Sequence, residues 1–426
     1  MTPAARLHAL ITLLTEVETL ARPVDAVTSG WFRARREIGA DDRGALIESL
    51  YALLRHRARL GWWLERLGHA PSPRARVLAW LMLGEGRGID RIARLADLTE
   101  SERALLAALP AGAILHPDMP LSVRLECPEW ALAPLQARFG ADFDAEMAAS
   151  LVPPPLDLRV NPLKSSRDAV LRQLRAQGLR AEPTPLAPLG LRLPGRLALG
   201  LLPGLKTGEI EIQDEGSQLV AHLVDARPGA RVVDFCAGAG GKTLALAAQM
   251  QNRGHLVACD LNEARLKRCA ERLRRAGLHN GETRLLTSET DRWIKRHKGS
   301  FDRVLVDAPC TGTGTWRRNP DARGRAPDLG LDGLVALQAR ILASAARLVR
   351  PGGRLVYATC SLIEAENEGQ VAAFLAANPA FRVVPLAEAA VLPAALGAAP
   401  TLTLTPARHG TDGFFAAVFE RRTDAA

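Results

Sequence analysis

The chain has no apolar run of the roughly 18 to 20 residues that a helix needs to cross a bilayer. An integral helical membrane protein is therefore not expected. Its N-terminus has neither the apolar core nor the small-residue cleavage site of a secretory signal, so the cytoplasm is the expected compartment. The six cysteines, Cys127, Cys236, Cys259, Cys269, Cys310 and Cys360, include no CxxC pair, which argues against a zinc ribbon or a redox dithiol. Free thiols and no metal are expected. Such thiols are usually inert core residues, so a catalytic role for one needs a special local setting. No fixed-period repeat and no long low-complexity tract is present, which argues against solenoids and arrays.

What remains is an ordinary folded composition. At 47% hydrophobic and 24% charged over 426 residues, the chain has enough apolar surface for two or three cores. The formal charge of +9 favours a polyanionic partner, because each cation that meets a phosphate releases condensed counterions. An arginine-rich proteome would produce the same charge.

The first 118 residues read as helices. Leu46, Leu50, Leu53, Leu60 and Leu64 recur at helical steps or multiples of them. Around them lie Arg33, Arg35, Arg36, Arg43, Arg55, Arg57 and Arg59, with Trp31, Phe32, Trp62 and Trp63 interleaved. Arginines with aromatics can grip RNA phosphates and stack on bases; the alternative is that the aromatics are core and the arginines solvated. Residues 119–207 are proline-broken and mixed. Residues 156–160 alternate like a strand, 166–177 look helical and a short strand is expected near 191–193, giving a small α+β module. From 208 to 426 strands and helices alternate, with strands expected at 231–235, 255–260, 283–286, 303–307 and 354–358 and helices at 242–250, 263–276 and 332–349. That alternation predicts a doubly wound parallel sheet, whose ligands bind at the carboxyl ends of the strands.

The loop after the first of these strands reads Cys236, Ala237, Gly238, Ala239, Gly240, Gly241, Lys242. Its glycines allow a tight turn and close approach of a ligand to the backbone, and the next helix presents unpaired N–H groups. A phosphate loop would need glycine where Cys236 stands, and a dinucleotide loop would need one where Thr243 stands. S-adenosylmethionine fits better, because it carries a carboxylate for the amides and ribose hydroxyls for an acid. Asp260, about 20 residues beyond the loop, is placed for the ribose; its other reading is a helix cap. Asp234, inside the first strand, is a candidate to orient the loop or to bind the methionine amine indirectly.

Two more strand exits carry thiols. One reads Asp307, Ala308, Pro309, Cys310; the other reads Thr359, Cys360, Ser361. Carbon 5 of cytosine is too weak a nucleophile to take a sulfonium methyl unaided. A thiolate added at carbon 6 makes an enamine whose carbon 5 can attack, and an acid at ring nitrogen 3, for which Asp307 is the candidate, drains charge from the ring. These residues alone do not say which cysteine attacks.

The 236–242 loop, the run Asp307-Ala308-Pro309-Cys310-Thr311-Gly312-Thr313-Gly314 with Arg317-Arg318-Asn319-Pro320-Asp321, and Thr359-Cys360-Ser361 followed by Glu366-Asn367-Glu368 together resemble the RsmB/Fmu and Nop/Sun family of RNA cytosine-5 methyltransferases. Residues 410–415 resemble its closing Asp-Gly-Phe-Phe strand, and 32–36 with 51–63 resemble a NusB-like helical domain. The resemblance spans residues 150–421 and the helical start. It implies a Rossmann-like class I methyltransferase domain at 208–426, an α+β RNA-binding or linker module at 119–207 and an all-α NusB-like RNA-binding domain at 1–118. It implies that Cys360 is the nucleophile, that Cys310 assists release, and that 236–242, Asp260 and Asp307 contact cofactor or target base. This reverses DNA cytosine methyltransferases, in which the Pro-Cys thiol attacks. Where the family places an acid near adenine, this chain reads Thr287-Ser288-Glu289-Thr290-Asp291, with Glu289 the first candidate and Asp291 the second. Arg317 and Arg318, after the active-site loop, are expected to touch RNA phosphate. The expected protein is a monomer acting on RNA, preferably small-subunit ribosomal RNA. A P-loop-like nucleotidase, a non-catalytic RNA-binding assembly factor and a DNA methyltransferase are the rivals.

Overall fold

The computed structural model describes all residues except 21, 196, 198, 391, 394, 395, 397, 398 and 424–426, and not the side chain of 199. The chain divides into two compact units, one of Met1–Val152 with Trp316–Ala326 and one of Pro153–Thr315 with Pro327–Ala426.

The first unit is helical. The expected leucine face is real, with none of Leu46, Leu50, Leu53, Leu60 and Leu64 more than 2% exposed. It is carried by two helices, Ala40–Arg55 and Arg57–Arg66, that meet at His56. Each such leucine removed from water contributes about 1.5–3 kcal/mol. Ser72 accepts a hydrogen bond from the Ala75 N–H to start helix Pro73–Leu83, and Thr99 with Glu102 forms a reciprocal capping box on Glu100–Ala108.

Three of the aromatics for which RNA-facing and core placements were both open belong to this core. Trp31, Phe32 and Trp63 are 3%, 7% and 5% exposed, so they stack on protein and not on bases. Arg55 and Arg59 are buried too, and Arg59 donates to the Arg124 carbonyl. Exposed basic groups remain at Arg33, Arg36 and Arg57. Helices Leu121–Arg124, Glu129–Phe139 and Phe143–Leu151 follow where mixed segments were expected; Pro120 and Pro128 sit at N-caps, where a missing N–H costs nothing. Into this unit runs the distant segment Trp316–Ala326. Trp316 meets Trp130 edge to face at 6.1 Å, Asp321 accepts from the Val24 N–H at 3.2 Å, and Arg323 donates to Ser150 Oγ at 2.6 Å.

The second unit holds two sheets. Strands β1 (Leu156–Val160), β2 (Glu182–Pro183), β3 (Gly190–Leu193) and β4 (Ile210–Ile212) form an antiparallel sheet in the order β2-β3-β1-β4. Helix Arg167–Ala176, capped by Ser166, packs Val170 and Leu174 against Leu158, Val160 and Leu191. An α+β module was expected at 119–207; these elements span residues 156–212, while residues 119–152 lie in the helical unit.

The larger sheet contains β5 (Arg231–Asp234), β6 (His255–Asp260), β7 (Gly281–Leu285), β8 (Phe301–Asp307), β9 (Val349–Thr359), β10 (Phe381–Val383), β11 (Leu402–Leu404) and β12 (Phe414–Arg421). Its order is β10-β12-β9-β8-β5-β6-β7, with β11 paired to β12. The pairs linking β7, β6, β5, β8 and β9 are parallel, and β12 joins β9 antiparallel with Phe415 opposite Thr359. Both faces are buried, as parallel sheets require: Val232, Ala258, Leu305 and Val356 serve one core, while Val233, Val257, Val304 and Tyr357 serve the other. The chain leaves β5 for β6 and β7, then returns to β8 on β5's other side. The loops after β5 and β8 therefore diverge and open a crevice at the switch point. The expected Rossmann-like class I methyltransferase architecture is thus present.

Candidate active site

The glycine loop is held at both ends. Asp234, 1% exposed at the end of β5, accepts from Thr243 Oγ at 2.7 Å and so ties the strand to helix Gly241–Gln249. Burial pushes its carboxyl up to about 7. The Ala237 N–H donates to the Cys259 carbonyl at 2.8 Å. Gly240, the residue before the helix, has φ +83°, and a Cβ there would lie 2.5 Å from Cys269 Sγ. Only glycine satisfies both constraints.

Asp260 ends β6 and turns back over the loop. One carboxylate oxygen accepts from the Gly238 N–H and the other from the Asn262 N–H, both at 2.8 Å. A cavity of about 580 Å³ opens here. Residues 236–239 line one side, Asp260 and Glu289 contribute acids, Asp307 contributes a third, and Leu261, Leu286, Leu337 and Ile341 supply apolar wall. That volume and that sparse polar set suit a nucleoside-sized ligand. The residues fit S-adenosylmethionine: an apolar slot for adenine, Asp260 for ribose hydroxyls, and the loop's amides at a helix start for the carboxylate.

Of the residues expected to hold cofactor, Cys236, Ala237, Gly238, Ala239, Asp260, Glu289 and Asp307 line this cavity. Gly240, Gly241 and Lys242 do not; Gly240 turns the chain into the helix, and Lys242 points elsewhere. Glu289 accepts from Arg340 Nε at 2.9 Å, a bond that holds its carboxyl below the usual range. Asp291 caps helix Arg292–Arg296 through the Trp293 N–H and also binds Thr287, which lowers its pKa to about 2. The structure thus brings Glu289 to the cavity and leaves Asp291 to the backbone.

Beside the cavity stand the two thiols. Cys310 Sγ lies 3.4 Å from Cys360 Sγ, one on the loop after β8 and the other after β9. The hydrogen bond to Cys360, then burial, pushes the Cys310 thiol well above the ordinary thiol range. Cys127, Cys259 and Cys269 are buried, and burial raises their pKa values as well. They are inert by the rule that the thiolate reacts.

Two residues named from the sequence make contacts at the site that the sequence did not disclose. Lys242, 8% exposed, extends its ammonium to 2.7 Å from Asp307 Oδ2 and lies over the Phe414 ring. Burial opposes that charge, but Asp307 outweighs it and holds the lysine pKa above its ordinary value. The second is Glu366, 0% exposed, whose carboxylate accepts from the Thr311 N–H at 2.8 Å, Thr311 Oγ at 2.6 Å, Gln338 Nε2 at 2.9 Å and the Ser361 hydroxyl. Arg317, expected on RNA phosphate, is 5% exposed in the helical unit, with its carbonyl accepting from Arg55. Arg318 is half-buried in the same unit.

The family model described as 16S rRNA methyltransferase RsmB/F matches residues 221–420, and the RsmF/B-like ferredoxin-like domain matches residues 127–199. The chain is similar to ribosomal RNA small subunit methyltransferase B of Yersinia pseudotuberculosis, with 32% identity over 405 residues, 89% of this chain and 91% of that one. It is 30% identical over 404 residues to the protein of the same name from Pectobacterium atrosepticum, again covering 89% and 91%. Among solved structures, PH0851 superposes with a TM-score of 0.81 at 26% identity over 99% of both chains. A methyltransferase homolog protein from Pyrococcus horikoshii gives 0.61 at 30% identity over 72% of this chain and all of that one. With the crevice, the paired thiols and relatives matching nearly end to end, the chain belongs to the RsmB/F family of 16S rRNA methyltransferases.

Proposed function

We propose that this RNA methyltransferase modifies carbon 5 of a cytosine in small-subunit ribosomal RNA through a transient bond between Cys360 and carbon 6. The observation that carries the reading is the 3.4 Å approach of two half-buried thiols at adjacent strand exits, beside a cavity suited to the donor. The donor is S-adenosylmethionine, which when bound supplies an electrophilic methyl group; the protein's task is to make a pyrimidine carbon nucleophilic toward it.

In this reading Cys360 enters as thiolate and adds to carbon 6, which moves ring electrons toward carbon 5. Asp307 in its protonated form donates a hydrogen bond to ring nitrogen 3 and passes that proton to it as negative charge develops there, and Lys242 pairs with the resulting carboxylate across the 2.7 Å contact. After carbon 5 is alkylated, its proton passes to water, the proton on ring nitrogen 3 returns to Asp307, and the carbon–sulfur electron pair returns to sulfur as the Cys360 thiolate. Cys310, already in hydrogen-bond contact with that sulfur, assists the departure. Cys236, Ala237, Gly238, Ala239, Asp260 and Glu289 serve the donor side, with Gly240 and Gly241 shaping the loop that carries them.

Residues 1–118 are read as a NusB-like RNA-binding domain and 119–207 as an RNA-binding or linker module, with Arg317 and Arg318 candidate phosphate contacts. The protein is read as a cytoplasmic monomer; among the described residues no helix is long and apolar enough to cross a membrane. Bisulfite sequencing of 16S rRNA from cells with and without the gene tests the function. One cytosine losing its protection in the deletion supports it, and an unchanged map contradicts it.

A further inference from the structure

We propose that Arg159 binds a backbone phosphate of the RNA, beside a groove whose other cations are Lys206, Arg272 and Arg275. This rests on the RNA substrate and not on the covalent step, and it adds where the charge of the strand is held.

Along β1, Leu158 and Val160 enter the core beneath helix Arg167–Ala176, so strand alternation turns Arg159 to the other face of the sheet. There it stands opposite Glu211 of β4. Arg159 is 7% exposed, yet neither a hydrogen bond nor an ion pair joins its guanidinium to any described residue. The acid beside it is already engaged: Glu211 accepts from Arg272 Nη2 at 2.9 Å with one carboxylate oxygen and from Arg275 with the other. Burial, opposed by Glu211 and aided by Arg272, lowers the Arg159 pKa to about 10, so the group stays charged at neutral pH. A buried cation without a partner is costly to the fold. An anion brought from outside supplies what the protein does not.

The surroundings point to a polyanion. Arg272, Arg275 and Glu211 line a groove of about 440 Å³ together with Lys206, which is exposed, so three cations there face one carboxylate. Lys164 Nζ donates to the Thr207 and Arg275 carbonyls at 2.6 and 2.8 Å and fixes segment Gly204–Thr207 against helix Glu263–Ala276. On that helix Arg265, Arg268, Arg272 and Arg275 follow at steps of three or four and form one ridge. Arg265 lines the donor cavity, and Arg272 Nη1 donates at 2.6 Å to the carbonyl of Ala239, which lines it too. The ridge therefore runs from the donor cavity to the groove, about 15 Å at 1.5 Å per residue, the length of about four stacked nucleotides. A small anion would engage one of these charges; a strand of RNA engages the row.

The test uses the full-length protein, a 16S rRNA transcript and binding measured over a range of salt. Arg159→Met keeps an unbranched side chain and removes the charge. It is expected to weaken RNA binding about 10-fold, the scale of a lost hydrogen bond to a charged group, and to raise the KM for RNA more than it changes kcat. The plot of log affinity against log salt is expected to become shallower by about 0.7, the share of one single-strand phosphate. Its melting temperature is expected to equal or exceed that of wild type, because an unpaired buried charge is gone; a structural arginine would lower it. Lys206→Ala, a surface change, is expected to give the same change of slope. An unchanged slope in Arg159→Met overturns the proposal, and should that variant not fold, an unchanged slope in Lys206→Ala does so. Inorganic phosphate that raises the melting temperature of wild type but not of Arg159→Met, while both bind RNA alike, assigns the site to a free anion and overturns it as well. A wild type that does not bind the transcript removes the RNA substrate itself, whereas binding with unaltered slopes removes only the groove.

Discussion

The Asp260 carboxylate receives the Gly238 N–H at 2.8 Å with one oxygen and the Asn262 N–H at 2.8 Å with the other. One side chain therefore shapes the glycine loop, starts the next helix turn and faces the donor cavity. Replacing it with alanine removes the acid proposed to accept from the donor's ribose and frees the loop. Donor affinity is expected to fall by about 2–3 kcal/mol, as for loss of a hydrogen bond to a charged group, or roughly 50-fold. Titration calorimetry with S-adenosylmethionine checks this; affinity within about threefold of wild type contradicts it.

Gly240→Ala is expected to be more damaging than its size suggests. The position combines φ +83° with a Cβ that would stand 2.5 Å from Cys269 Sγ. Left-handed strain costs on the order of 1–3 kcal/mol, with overpacking in addition. Thermal unfolding should drop by several degrees, and the double variant with Cys269→Gly should recover part of the loss, because the collision and not the strain is removed.

Much of this site was legible in the sequence because local physics decides it. The helix expected at 263–276 has those bounds, since Asn262 caps its start and Gly277, in the left-handed region, ends it. The five parallel strands followed from apolar runs ending at loops. What the sequence did not disclose is tertiary. Trp31, Phe32 and Trp63 are core because their helices bury them, a fact that composition beside arginines does not reveal. Lys242 belongs to the glycine loop by position but to Asp307 by direction, and direction depends on where β8 ends. Segment Trp316–Ala326 lies with helices 173 to 297 residues upstream, for which no periodic signal exists.

Lys242→Met is expected to separate pairing from packing. It keeps the length of a buried side chain and leaves Asp307 without its 2.7 Å partner. Asp307 is partly exposed, with 31% of its side chain open, so the stability loss should stay near 1–2 kcal/mol rather than the 3–5 of a fully buried pair. Turnover should fall about 100-fold with little change in donor affinity. Single-turnover kinetics read the first and calorimetry the second.

Acid should loosen the helical unit through His56. Burial, then the charges of Arg59, Arg55 and Arg323, lowers its pKa to about 3, and its Nδ1 faces Arg59 Nη1 at 3.3 Å. The unfolded chain binds the proton near pH 6.5 and the folded chain does not, so the unfolded state gains stability as pH falls between those values. Stability from this group is complete above about pH 6.5 and is lost progressively toward pH 3. His56→Gln should therefore flatten the pH dependence of unfolding between pH 6.5 and 4; an identical slope would assign acid sensitivity elsewhere.

The most direct measurement is a denaturing gel for covalent protein–RNA species with each thiol removed in turn. Cys310→Ala should accumulate a species resistant to denaturant, because attack proceeds while release is slowed. Cys360→Ala should form none and should methylate nothing. Accumulation in Cys360→Ala, or normal methylation by it, would contradict the account.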